Sequence, residues 1–250
     1  MEAVILAGGF ATRLHPLTRD RAKPLLDISG ATCLDRLLER LRPLAEHGLT
    51  RVVVVTNHRF VRQFEEALSG MELPFRAEVA DNGITGEDGK RGAVGDMAFG
   101  AGRGAGDEDF WVLAGDNVFE FDLVPVWKEF LAHGRRPLVL LSRVGRIPDA
   151  SKYNNLELAG DGAILRFVEK PRQPWSRLFA VCVYVFPPDV RRALGEYLAA
   201  GENPDNAGSF VAWLAARCST GTLEPPGAWF DIGSFQELED ARRHFTGPSP

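Results

Sequence analysis

The stretch from Val4 to Gly30, VILAGGFATRLHPLTRDRAKPLLDISG, constrains this chain more than any other. Val4, Ile5 and Leu6 make a short β-prone apolar run of the kind that lies inside a parallel sheet. Ala7-Gly8-Gly9 follows, where no side chain keeps a ligand away from the backbone N–H groups. Arg13 and Lys23 come next, with Thr12 beside the first and Pro16 and Pro24 stiffening the path. A lone Gly-Gly after a strand is ordinarily a turn. Backbone donors and two separated cations in one segment are instead what a polyphosphate requires, with N–H groups for bridging oxygens and point charges for terminal ones.

The rest of the chain reads as an alternation. Thr32 or Gly30 starts an amphipathic helix carrying Leu34, Leu37, Leu38 and Leu41 on one face, and Gly48 ends the pattern. Residues 51–55 read as a buried strand, 58–68 as a helix, 75–79 as a strand, about 93–101 as a helix and 110–114 as a strand. Helices alternating with buried strands imply right-handed crossovers and a largely parallel sheet. After about residue 136 strand-like runs 137–143, 154–158, 163–168 and 179–186 follow, with a hairpin signal at Gly160-Asp161-Gly162. Helices are expected over 189–199, 208–217 and 234–245, the last with Ser234 and Glu237 as a capping pair, and a short strand over 229–231. The expected organisation is a single domain over 1–250, with a nucleotide-binding half over about 1–136 and a second-substrate half over about 137–250. Gly102 to Asp109 and the last few residues read as loose.

Bulk properties exclude several classes. A net charge of −5 with no basic stripe argues against a nucleic-acid groove. No apolar run is long enough to span a bilayer and no signal peptide is visible, so a cytoplasmic chain without a membrane partner is expected. Cys33, Cys182 and Cys218 are scattered and lack metal-ligand spacing, which points to buried thiols in a reducing compartment.

Two carboxylates stand where α/β sheets bind ligands. Asp116 ends a buried strand in the turn Gly115-Asp116-Asn117, and Asp231 leaves the short strand Trp229-Phe230-Asp231 just before another turn. Each alone reads equally as a turn or cap residue. Together they could share one magnesium ion (Mg2+) that also binds phosphate oxygens.

The ordered set Gly8-Gly9, Thr12-Arg13-Leu14, Pro16-Leu17-Thr18 and Lys23-Pro24-Leu25 resembles the N-terminal motif of the sugar-1-phosphate nucleotidylyltransferases, nearest to the stand-alone glucose-1-phosphate thymidylyltransferases. GDNVF at 115–119, WFDIGS at 229–234 and the EKP of Glu169-Lys170-Pro171 resemble further motifs of that family, and the likeness runs from residue 3 to about 242. It implies a three-layer Rossmann-like α/β nucleotidyltransferase (GT-A-like) fold around a mainly parallel mixed sheet. It also implies a nucleoside triphosphate and a sugar 1-phosphate as partners, with dTTP and glucose 1-phosphate favoured, and leaves room for a homo-oligomer. By the same resemblance Leu6, Ala7, Gly8, Gly9, Thr12, Arg13, Lys23, Asn82 and Gly92 would bind the nucleotide, with Arg91 beside the base. Tyr153, Asn154, Glu169, Lys170 and Val181 would bind the sugar phosphate, and Asp116 and Asp231 the metal. Arg13, Lys23 and Asp116 would be the catalytic set.

The chain also departs from that pattern. Ala11 replaces a glycine and is expected to hold ordinary backbone angles. Asn154 follows Tyr153 where glycine is usual, so a side-chain contact to the sugar is expected there. Cys182 replaces another glycine, and a longer insert, TGEDGK, precedes Arg91. The segment Glu202 to Gly208 resembles one in the family and has no chemical role in this reading. Two other classes compete: a non-catalytic subunit of the same fold, which has no need of both metal carboxylates, and a metal-dependent glycosyltransferase, whose Asp-x-Asp motif is absent from the GDN turn.

Overall fold

Alternating side chains on the interior strands divide the core in two. In β1 (Glu2–Ala7), Ala3 and Ile5 face one layer and Val4 the other; in β4 (Arg51–Thr56) the same split separates Val52 and Val54 from Val53 and Val55. The structure is a computed structural model and describes residues 1–246. Short strands β2 (Asp27–Ile28) and β3 (Ala31–Thr32) pair with each other. The elements α1 (Cys33–Leu41), α2 (Val61–Ser69), β5 (Arg76–Asp81), α3 (Gly92–Ala101), β6 (Phe110–Ala114), β7 (Asn117–Phe119) and α4 (Leu123–Ala132) complete the first part. The second part comprises β8 (Leu138–Arg143), β9 (Asn154–Leu158), β10 (Ile164–Glu169), β11 (Leu178–Phe186), α5 (Val190–Ala199), α6 (Ala207–Ala215), β12 (Gly221–Leu223), β13 (Trp229–Asp231) and α7 (Phe235–Thr246).

The main sheet has seven strands in the order β12-β8-β11-β6-β1-β4-β5, all parallel except β11. Helices α1, α2 and α4 cover one face and α3, α5 and α6 the other, giving the expected three layers. Gly100 lets α3 lie close on the sheet, since a Cβ there would come within 2.5 Å of Val4 and 2.7 Å of Val55. The sheet runs unbroken across residue 136, because β11 pairs with β6 and brings β8 and β12 into the same sheet.

Local signals explain most boundaries, with three differences. Thr32 and Asp35 form a reciprocal capping box at the start of α1 (3.1 and 2.7 Å). The α-helix then stops at Leu41 instead of running to Gly48; Pro43 has no N–H for the next intrahelical bond, and residues 42–47 tighten into 3₁₀ turns that Gly48 closes at φ 94°. Helix α4 was not expected, although Asp122 caps Val124 N–H (2.9 Å) and Leu123, Val126, Trp127 and Phe130 follow helical spacing. The runs at 154–158 and 163–168 form the predicted hairpin but stand apart from the sheet as their own ribbon. The final few residues of the chain, expected to be loose, lie beyond Thr246 and outside the described residues.

A smaller third cluster positions the site. Leu14, Leu26, Ile28 and Cys33 from the N-terminal segment pack with Val118 of β7 and with Ile232, Leu238 and Ala241 around α7. Antiparallel pairing of β13 with β7 sets Asp231 opposite Asn117. This apolar packing carries the segments at 14–33 and 232–241 to the carboxyl end of β6. Among the described residues no helix is long and apolar enough to cross a membrane.

Candidate active site

Strands β1, β4, β5 and β6 are parallel and end on one side of the sheet, so their following turns share a crevice: Gly8-Gly9, Asn57, Asn82 and Gly115-Asp116. Gly115 donates its N–H to Leu6 O (2.8 Å), and an added Cβ would sit 2.8 Å from that same oxygen. The two turns therefore lie side by side.

After Gly9 the chain turns sharply. Ala11 adopts φ 50°, ψ 41°, the left-handed region, where ordinary angles were expected. Its carbonyl accepts from Thr18 Oγ1 (2.7 Å) and Leu14 N–H (3.0 Å), and these bonds hold a conformation that costs an L-residue roughly 1–2 kcal/mol. The turn leads into a 3₁₀ segment over Thr12–Leu14 that buries Leu14 and leaves Arg13 exposed.

Lys23 begins a second 3₁₀ turn with Pro24 and places its Nζ 2.6 Å from Asp116 Oδ2. Ile232 N–H donates to Asp116 O (3.0 Å), which fixes Asp231 beside Asp116. Burial, then the charge of Asp116, pushes the Asp231 carboxyl up to about 7, against the pull of Lys23 and Arg13. Burial opposes a charged Lys23, but Asp116 and Asp231 outweigh it and hold the ammonium above its usual range. Two carboxylates, one half-buried lysine and one exposed arginine thus act on each other from four separate segments. Two carboxylates forced this close call for more positive charge than Lys23 supplies, so the donor set fits a hard divalent cation with phosphate oxygens completing it.

Beyond Gly8, on the β4–β5 side, the crevice is lined with amides. Asn57 Nδ2 donates to Gly8 O (3.1 Å), and Asn82 Oδ1 accepts from Ile84 N–H (3.0 Å). Gly92 opens α3 at φ 74°, under the backbone of residues 204–205; Val94 N–H donates to Pro204 O (2.9 Å) and Lys90 pairs with Asp205 (3.1 Å). The segment at 202–208 therefore braces the insert at 83–91. Arg91 Nε donates to Asn82 O (3.1 Å) and its guanidinium lies over Phe99.

On the opposite side, Glu169 ends β10 and Lys170 follows it. Glu169 packs against α6, where an added Cβ on Gly208 would stand 2.5 Å from its Oε2; burial raises its carboxyl against the nearby charge of Lys170. Lys170 is held at φ 45°, with its N–H on Tyr153 O (3.0 Å). Tyr153 stacks on Phe179 and meets Trp229 edge-on, close enough to Asp231 and Glu237 that their charges, after burial, raise its phenol to about 12. Asn154, expected to contact a sugar, is buried with its carboxamide engaged on both backbone groups of Ala180 (3.0 and 2.6 Å), where β11 departs from regular register. Val181 is buried in β11. Of the cysteines expected to be buried, Cys33 is, Cys182 is partly so, and Cys218 lies beyond the end of α6 and is exposed.

The profile of the nucleotidyl transferase family matches residues 2–247. The chain belongs to that family. Among curated relatives of this nucleotidyl transferase-family chain, the mannose-1-phosphate guanylyltransferase catalytic subunit beta of Drosophila pseudoobscura pseudoobscura is 27% identical over 237 residues, 92% of this chain and 58% of that protein. The UTP–glucose-1-phosphate uridylyltransferase AglF of Haloferax volcanii is 27% identical over 193 residues, 77% of this chain and 74% of that protein. A Bacillus anthracis protein, provisionally described as a glucose-1-phosphate thymidylyltransferase and crystallised with sucrose, superposes with a TM-score of 0.81 at 21% identity, covering 100% of this chain and 97% of its own. The chain thus spans just under three fifths (58%) of the Drosophila relative's length.

Two residues of the crevice, Asn57 and Asp96, were missed from sequence. Asp96 of α3 is buried, its Oδ1 accepts from Asn82 Nδ2 (2.8 Å), and its Oδ2 lies directly over Gly8. The available signal for Asp96 was a charge between Val94 and Met97 on a helix otherwise made of small and apolar residues.

Proposed function

We propose that this chain transfers a nucleotidyl group from a nucleoside triphosphate to a sugar 1-phosphate and releases pyrophosphate. The observation that carries this reading is the Lys23–Asp116–Asp231 constellation beside the Gly8-Gly9 turn, with Glu169 and Lys170 on the far side of it. The triphosphate would lie across Gly8-Gly9, with Leu6, Ala7, Gly9 and Thr12 lining its path and Arg13 on the β- and γ-phosphates. Lys23 would neutralise the phosphoryl group in flight, and Lys170 the sugar phosphate.

A phosphate monoester has its second pKa at roughly 6, so the attacking oxygen is already anionic near neutral pH and needs no general base. The work left to the protein is to align two anions in line and stabilise charge on the leaving pyrophosphate. Asp116 and Asp231 would hold Mg2+. When bound, it supplies Lewis-acid neutralisation of the α-phosphate oxygens.

The sequence-based pairing of dTTP with glucose 1-phosphate is one member of this reaction class, and the guanylyl and uridylyl names of the relatives are others. A pyrophosphate-release panel of five triphosphates against several sugar 1-phosphates, with and without Mg2+, tests the reading. Release that requires one triphosphate, one sugar phosphate and the metal is the expected result. Absence of release throughout, or release indifferent to the sugar phosphate, would refute it.

A further inference from the structure

We infer that Asp96 and Asn82 together read the base of the nucleotide, and that the base they select is guanine. This rests on the nucleotidyl-transfer reading above, and concerns which triphosphate enters that site.

Asp116 follows β6, Gly8 follows β1, Asn57 follows β4 and Asn82 follows β5, so these groups stand in a row along the strand ends. Strands are about 4.8 Å apart, so the strand ends span about 14 Å, and the Asn82 side chain reaches back along them until its Nδ2 lies 3.0 Å from where a Gly8 Cβ would stand. Lys23, Asp116 and Asp231 hold the phosphate end of the row. The β11 side is taken up by the Glu169-Lys170 hairpin and the aromatic set around Tyr153. A nucleoside extending from the phosphates across Gly8 therefore brings its base to Asn82 and Asp96.

The polar atoms there have a fixed order. Asn82 Oδ1 is held by Ile84 N–H, which turns Nδ2 toward Asp96 Oδ1 (2.8 Å). No described residue donates to Asp96 Oδ2, yet this atom is not sealed from solvent. It overhangs Gly8, and a Cβ on Gly8 would collide with it and lie 3.0 Å from Asn82 Nδ2. Both side chains thus flank the bare backbone of Gly8. Burial raises the Asp96 carboxyl against the Asn82 hydrogen bond and the charge of Arg91. Further N–H donors on its oxygens would restore the anion.

Read along the row, the protein offers a donor (the second Asn82 Nδ2 proton), an acceptor (Oδ1) and an acceptor (Oδ2). The complement is acceptor, donor, donor. Guanine presents that set as O6, N1–H and N2–H. Uracil and thymine present acceptor, donor, acceptor, which sets a carbonyl oxygen against Oδ2. Cytosine and adenine begin with an amino donor and follow it with a bare ring nitrogen. A buried carboxylate left facing a carbonyl is costly, so the pair rejects pyrimidines as well as accepting guanine.

The test uses GTP, ITP, XTP and UTP as probes of the whole chain. On the wild type, ITP lacks the N2 amino group and should fall about 10-fold below GTP in kcat/KM, and XTP and UTP further. Asp96→Asn converts the row to donor, acceptor, donor; it should lower GTP by about 10- to 100-fold and invert the XTP-to-GTP preference. A merely structural role would depress both nucleotides alike. Calorimetric binding of GTP and XTP to both proteins, with Mg2+ and no sugar phosphate, reads the same preference without turnover. GTP-selective binding without pyrophosphate release would defeat the reaction and leave the base reading standing. Turnover in which UTP or dTTP matches GTP, or an XTP-to-GTP ratio unmoved by Asp96→Asn, would overturn the base reading and leave the reaction standing.

Discussion

Lys23 and Asp116 are 93 residues apart in the chain, and their side chains meet at 2.6 Å. The contact joins the Pro24-anchored turn to the end of β6 and puts one cation against a carboxylate whose neighbour, Asp231, already resists ionisation. Removing the lysine leaves two adjacent negative groups with little compensation. Lys23→Met should lower turnover at saturating substrates by about 10²–10³, the scale of one lost electrostatic donor. Pyrophosphate release measured beside a circular-dichroism melt checks it; near-normal turnover would remove Lys23 from the reacting phosphate.

Gly8 has Asp96 directly over it, so its missing side chain is a packing requirement. Gly8→Ala should destabilise the fold by about 1–3 kcal/mol through overpacking. The same change in an Asp96→Ala background should cost less, because the colliding carboxylate is gone. Urea unfolding of the four proteins in this cycle measures the coupling, and strict additivity would show that the two residues do not meet.

Glu169 and Gly208 offer a similar wedge on the other side of the crevice. A methyl group at Gly208 would come 2.5 Å from Glu169 Oε2 and move the carboxylate. Gly208→Ala should raise KM for the sugar phosphate by about 10-fold, and leave KM for the triphosphate near its starting value. Equal effects on both constants would argue for a general loss of structure instead.

Stability should depend on pH through a cluster remote from the site. Burial disfavours ionised Glu78, but the Arg51 hydrogen bond and charge, with Arg76 and Arg103, outweigh it and hold the carboxyl below its usual range. A depressed folded pKa contributes stability that is full above the unfolded value and is lost as pH falls through the folded one. Glu78→Gln should therefore cost about 1–3 kcal/mol at pH 7, a value discounted from a fully buried pair, and progressively less as the pH falls below the usual glutamate range. Equilibrium unfolding of both proteins across that pH range decides it.

Much of the fold was legible because its signals are local. Apolar periodicity marked β1, β4, β6 and α1, and Gly160-Asp161-Gly162 marked the hairpin. Differences arose where two local rules competed or where a more distant partner intervened. Leu41 ends α1 because Pro43 breaks the ladder, although the leucine pattern reaches Leu44. Ala11 takes left-handed angles because Thr18, seven residues on, holds its carbonyl. Asn154 is engaged by the Ala180 backbone, a partner 26 residues away that no spacing rule reveals.

By itself the sequence determined the alternation of the longer strands and helices apart from α4, the Gly-Gly turn after β1, and the identity of the charges able to meet phosphate. Those properties depend on neighbours a few residues apart. Only the tertiary structure decided that Asp231 lies beside Asp116, that residues 202–208 brace α3, and that Asp96 overhangs Gly8. Each of these depends on contacts between distant segments, above all the apolar cluster that joins Leu14 and Cys33 to Ile232 and Leu238. Such contacts come from burial of apolar surface, which sets which faces must meet but leaves no periodic trace of the partner each one finds.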